Sequence, residues 1–138
     1  IELPALQMLW YPMTHGDTEF PSRIQFGSDY YITRDDMAWF SEQLLESRDH
    51  ATDIYFAPGL ATNLTGLPTA FILTAGYDVL RDEGQEFARQ LAAAGVEVEH
   101  HCYDDMFHGF ISFAGGLTQG MKAIEQSAEF FRAHTRLD

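Results

Sequence analysis

Cysteine is almost absent from this chain: Cys102 is the only one in 138 residues, so no internal disulfide can staple the fold. Such usage suits a reducing compartment, and a cytoplasmic location is expected. Positive charge is scarce too, with 8 Lys and Arg against 21 Asp and Glu and a formal net charge of −13. That excess repels phosphate backbones and anionic lipid surfaces, which argues against nucleic acid and acidic membranes as partners. Long apolar runs are missing; none approaches the roughly 18 residues needed to span a bilayer. There is no internal repeat and no low-complexity tract. The chain opens Ile1-Glu2-Leu3-Pro4 rather than on methionine, so the true N-terminus is expected to lie upstream.

What is present argues for a folded α/β chain. Apolar residues make up 46% of it, enough for one core at this length. Residues 5–11, mostly apolar and closed by Pro12, read as a buried strand. The polar stretch 14–29, broken by Gly16, Pro21 and Gly27, reads as loop or short turns. Thr33 and Asp36 have the form of a capping box, opening a helix with Met37, Phe40, Leu44 and Leu45 on one face and Trp39 close to it. An irregular connection over 51–68 leads to a second strand at 69–75. Asp82, with Gln85 three residues on, reads as the N-cap of a helix burying Phe87, Ala88, Leu91 and Ala92, with Gly95 as its C-terminal stop. A third strand is expected over 96–103, with Val96, Val98, His100 and Cys102 on one face. The last helix carries Leu117, Met121, Ile124, Ala128 and Phe131 as an apolar stripe. Alternation of strand and helix predicts parallel βαβ units. Three parallel strands with one bare edge make half a sheet rather than a whole one.

The chemistry-bearing residues sit at strand ends. Asp78 lies in Ala-Gly-Tyr-Asp-Val-Leu-Arg-Asp-Glu-Gly at 75–84, three residues past an apolar run, and His108 lies in Asp-Met-Phe-His-Gly-Phe at 105–110. In an open parallel sheet, both fall on the rim beyond the carboxyl ends of the strands. Alone, Asp78 would pass for a turn carboxylate and His108 for a half-buried ring. Together they are the acid and base that a serine nucleophile requires, in the chain order Ser…Asp…His. The serine itself is absent: none of Ser22, Ser28, Ser41, Ser47, Ser112 or Ser127 sits in a Gly-x-Ser-x-Gly elbow. Other candidates are weaker. His100 and His101 point to opposite faces of one strand, so no metal site is expected there. Cys102 reads as a structural thiol, and Gly115-Gly116 lacks the strand and further glycines of a phosphate cradle.

The segments 66–84, 91–98 and 103–110 closely resemble the hormone-sensitive lipase family of α/β-hydrolase esterases. Tyr11-Pro12, Pro21-Ser22 and residues 31–40 are similar to the same family. The resemblance implies that Asp78 is the triad acid, His108 the general base and Asp82 a structural cap. It also implies that a His-Gly-Gly-Gly oxyanion loop and a Gly-Asp-Ser-Ala-Gly elbow belong to sequence outside this chain. Val79 stands where proline is common, and Asp105 where glycine is common. A second carboxylate at Asp105 would raise the pKa of the base if it pointed inward.

The expected architecture is therefore the C-terminal half of an α/β-hydrolase sheet: a core strand in 1–12, a cap segment in 13–60 and the rest of the core in 61–138. Trp39, Phe40 and Phe107 are candidate walls for substrate. The expected function is that of a serine carboxylic ester hydrolase, short- to medium-chain in preference and inactive as this chain alone. It requires no cofactor and no metal. Its partners would be a small ester, the N-terminal half bearing nucleophile and oxyanion hole, and, as in similar esterases, a second copy through the last strand. A non-catalytic small-molecule-binding relative and an amide or peptide hydrolase are the alternatives.

Overall fold

A computed structural model of the chain describes residues 3–135. Three strands, β1 (Gln7–Trp10), β2 (Ala70–Tyr77) and β3 (Val98–Phe107), form one parallel sheet in the order β1-β2-β3. Around it lie α1 (Pro21–Gln25), α2 (Arg34–Leu44), α3 (Arg81–Ala93) and α4 (Thr118–His134). The expected half sheet of parallel strands is what forms.

β2 is central and buried along nearly its whole length, as an apolar run between two partners must be. Its even-numbered residues face α3, where Ala70 and Ile72 pack with Phe87, Ala88, Leu91 and Val96. Its odd-numbered residues face α4, where Phe71, Leu73 and Ala75 pack with Tyr103, Phe110, Ala123 and Phe130. β1, expected to be buried, is only half-covered, and Trp10 is exposed, because the strand pairs on one side alone.

The structure corrects several expectations. Part of the stretch 14–29 is helical: Pro21 starts α1, with its missing N–H placed where the first turn needs none. The capping box at Thr33 and Asp36 forms, but α2 buries Met37 and Ser41, leaving Phe40, Leu44 and Trp39 exposed. A single i, i+4 ridge of α2 meets the core, so the rest of the apolar stripe finds no cover among the described residues. α4 is rotated in the same sense. It buries Gly120, Ala123, Ser127 and Phe130, whose small members admit close approach, and exposes much of Met121, Ile124 and Phe131. Asp82 does not cap α3; Leu80 holds that position, and Asp82 lies inside the first turn. Short 3-10 turns, Arg48–Thr52 and Pro58–Leu60, punctuate the connection before β2.

β3 runs four residues further than its apolar pattern suggested, and this positions the site. From Ala70↔Val98 to Ala75↔Tyr103 partners are 28 positions apart, but after a bulge Tyr77 pairs with Phe107, 30 positions away. The bulge is possible because residue 76 is glycine: a Cβ there would lie 2.1 Å from the Asp104 carbonyl oxygen. Asp78 and His108 are the next residues on the two strands, so the bulge brings them side by side.

Candidate active site

The loop after β2 buries Asp78 almost completely, at 1% exposure. Its Oδ1 accepts the Leu80 backbone N–H at 2.8 Å, an Asx-type turn that aims the carboxylate back over the sheet. Its Oδ2 lies 2.8 Å from His108 Nδ1. A carboxylate only accepts, so Nδ1 carries the hydrogen and the lone pair is left on Nε2. The His108 side chain keeps 22% of its exposure, which leaves the ring reachable from outside. This arrangement can take a proton from a hydroxyl and hold the resulting imidazolium.

Gly109 turns the chain directly after the ring with φ +79, and a Cβ there would come within 3.1 Å of Tyr31. Tyr31 in turn packs against Phe107 and Phe113. Phe107, Ser112, Phe113, Gly115, Gly116 and Leu117 line an open, largely apolar groove of about 490 Å³ beside this turn. Trp39 and Phe40, by contrast, lean on each other at 5.3 Å on the exposed side of α2. A second cleft, about 220 Å³, lies between α1 and α2 and contains neither Asp78 nor His108.

Asp105 does not point at His108. It is exposed and accepts a bond from Gln119 on α4 at 3.3 Å. Asp82 serves as a tie, accepting the Ser22 N–H at 2.8 Å and the Arg81 Nε–H at 2.8 Å. The Ser22 hydroxyl donates to the Val79 carbonyl at 2.9 Å, which pins the residue next to Asp78. Deeper, Glu83 is fully buried and accepts the N–H groups of Thr14 and His15 at 2.7 and 2.8 Å and a guanidinium N–H of Arg23 at 2.6 Å. These bonds join the segment leaving β1 to the first turn of α3. Glu83 gave no sign of this in the sequence, where an acid in a first helical turn looks like a response to the helix dipole.

The residue missed most completely is Tyr11. Its ring centroid is 4.7 Å from that of His108, tilted by 49°. Its φ of +41 is unusual for a residue with a side chain, and more so before a proline. Strain of this kind costs about 1–3 kcal/mol and tends to gather at functional sites.

His100 and Cys102 lie on the α3 face, where His100 Nε2 meets the Thr74 hydroxyl at 3.0 Å. Burial lowers the pKa of His100 and raises that of Cys102, the behaviour of structural groups rather than of a reactive thiol. His101 lies on the other face, against Phe71. Among the described residues, no group of three or more His, Cys, Asp or Glu could hold a metal ion. No described helix is long and apolar enough to cross a membrane.

A family model described as the alpha/beta hydrolase fold matches residues 1–112. The chain belongs to that family. It is 36% identical over 135 residues to the carboxylic ester hydrolase LipN of Mycobacterium tuberculosis, covering 95% of this chain and 35% of LipN. It is 41% identical over 123 residues to the esterase LipI of the same organism, covering 88% of this chain and 38% of LipI. Among solved structures, an ester hydrolase from the metagenome of Lake Arreo, complexed with a bipyridine phosphonate derivative, matches with a TM-score of 0.89 and 45% identity. That match covers 95% of this chain and 42% of the other. The likeness to esterases of the hormone-sensitive lipase type, drawn above from motifs, holds. The chain spans well under half the length of each of these relatives.

Proposed function

We propose that this chain supplies the acid and the general base of a serine carboxylic ester hydrolase whose nucleophile and oxyanion donors lie in sequence outside it. The observation that carries this reading is the Asp78–His108 pair: a buried carboxylate, itself oriented by a backbone N–H, bonded at 2.8 Å to Nδ1 of a reachable imidazole. His108 Nε2 takes the serine proton as the hydroxyl oxygen attacks the ester carbonyl, then returns it to the departing alcohol. Water activated by the same nitrogen releases the acid. Asp78 holds the ring in the required tautomer. No cofactor or metal enters this scheme.

The substrate is a small ester. Phe107 and the groove beside it would receive one of its substituents, and Trp39 and Phe40, on a cap segment spanning 13–60, would wall the other. The bare edge of β1 is where the half carrying the serine would add its strands. The outer edge of β3 would serve a homodimer. A single, half-buried cysteine fits a cytoplasmic protein.

In the complete enzyme, His108→Ala should lower kcat by about 10³-fold or more while leaving the fold intact. A serine-directed phosphonate should label a serine outside residues 1–138. A mild loss, or labelling of any serine within this chain, would remove the assignment. Comparing an ester with the anilide of the same acid separates an esterase from an amide hydrolase.

A further inference from the structure

We propose that Tyr11 is a positioning residue for His108, holding both the plane of the imidazole and the turn that carries it. The inference rests on His108 being the general base. One hydrogen bond to Asp78 fixes the Nδ1 edge of the ring but leaves the ring free to tilt about that contact. Tyr11 supplies what is missing. β1 ends at Trp10, and the Tyr11 N–H still donates to the Leu73 carbonyl, at 2.6 Å. The backbone then turns through a positive φ of +41 and carries the phenol ring against the imidazole, 4.7 Å between centroids. The same ring meets Phe110 edge-on at 5.8 Å, and its hydroxyl accepts the Ile111 N–H at 3.3 Å. One side chain thus touches positions 108, 110 and 111, across about a hundred residues of chain.

The unfavourable φ is the telling feature. A residue at this turn could relax if only burial were at stake, whereas contacts to His108 and Ile111 hold the ring in one place. Burial raises the pKa of the phenol, opposed by the Ile111 bond, and the nearby Asp78 carboxylate raises it further. The hydroxyl therefore stays neutral and adds no negative charge beside the acid.

The test uses the complete enzyme and the variants Tyr11→Leu, Tyr11→Phe and His108→Ala. Tyr11→Leu should lower kcat by about tenfold with KM within about twofold, since misplacing a proton-transfer group slows chemistry without weakening binding. Tyr11→Phe keeps the ring and loses only the hydroxyl, so kcat should recover to within about threefold of the parent. The downfield proton resonance of His108 Nδ1–H should broaden through exchange with water in the leucine variant, and to a smaller extent in the phenylalanine variant. Should Tyr11→Leu fail to fold, the phenylalanine variant decides through the Nδ1–H exchange rate: faster exchange supports the role, and a parental rate overturns it. A leucine variant with parental kcat, or with its loss in KM alone, also overturns it. If His108→Ala keeps its turnover, the general-base reading falls and this one with it. If only the Tyr11 variants are silent, the general base stands and Tyr11 is structural.

Discussion

The two faces of the sheet are alike over β2, where Phe71, Leu73 and Ala75 are as buried as Ile72, but they differ beside β1. On the α3 side, Leu91 and Ile72 are fully buried, and the first turn of α3 is sealed by Glu83 and its three donors. On the α4 side, Met8, Trp10, Ile124, Ala128 and Phe131 line an open apolar groove of about 400 Å³ next to the bare edge of β1. Both helices have comparable apolar stripes, so composition is not the cause. The difference is whether a neighbour stands opposite. α3 packs over two paired strands, whereas α4 lies over a sheet in which, among the described residues, β1 is the last strand. A closed face therefore marks where a helix has a paired strand beneath it, and an open face where, among the described residues, it has none.

The largest test of that contrast lies at Glu83. Glu83→Gln should destabilise the fold by about 3–5 kcal/mol in denaturant titration, because it leaves the Arg23 charge buried and unpaired. A loss near that of an exposed ion pair would mean the closed side is less sealed than it looks. Leu91→Ala and Ile124→Ala compare the two faces directly. Leu91→Ala should cost about 2–5 kcal/mol. Ile124→Ala should match it if further polypeptide covers the groove, and should stay below about 1 kcal/mol if the groove faces water. Gly76→Ala should cost about 1–3 kcal/mol by pushing β2 off β3 at the bulge, with a larger proportional loss in kcat because Asp78 and His108 part.

The smallest effect should be the pH dependence from His100. Burial lowers its folded pKa, so the unfolded chain binds the proton more readily. Stability is then fully present above the unfolded value of about 6.5 and declines as pH falls from there toward the folded pKa. The drop in thermal midpoint between neutral and mildly acid pH should shrink in His100→Gln. His15, also lowered by burial, contributes with the same sign, so the drop should not vanish.

Motifs made the three parallel strands, the helix at 81–93 and the Asp78–His108 pairing legible, since each rests on local chemistry: apolar runs, turn residues and the spacing of strand ends. The faces of α2 and α4 were not legible. Periodicity finds an apolar stripe but cannot say which flank of it meets a partner, and in α4 the small residues Gly120, Ala123 and Ser127 took the inner side. Asp82 resembled a cap because it stands near a helix start, yet Ser22, sixty positions earlier, claims it. Tyr11 was invisible for a related reason. Nothing in Tyr-Pro after a strand distinguishes a ring that packs on a distant histidine from one that closes a strand.

The sequence by itself determined that an aspartate and a histidine stand in hydrolase order at the ends of parallel strands, with no nucleophile elbow beside them. Local signals suffice for that, because strand, turn and residue type are set within a few positions. Only the tertiary structure decided how the pair meets. Apolar pattern ended β3 near Tyr103, and the bulge that carries it on to Phe107 depends on a close approach of two backbones at Gly76. The Tyr11 ring on His108 likewise depends on chains brought together from far apart, which no local pattern encodes.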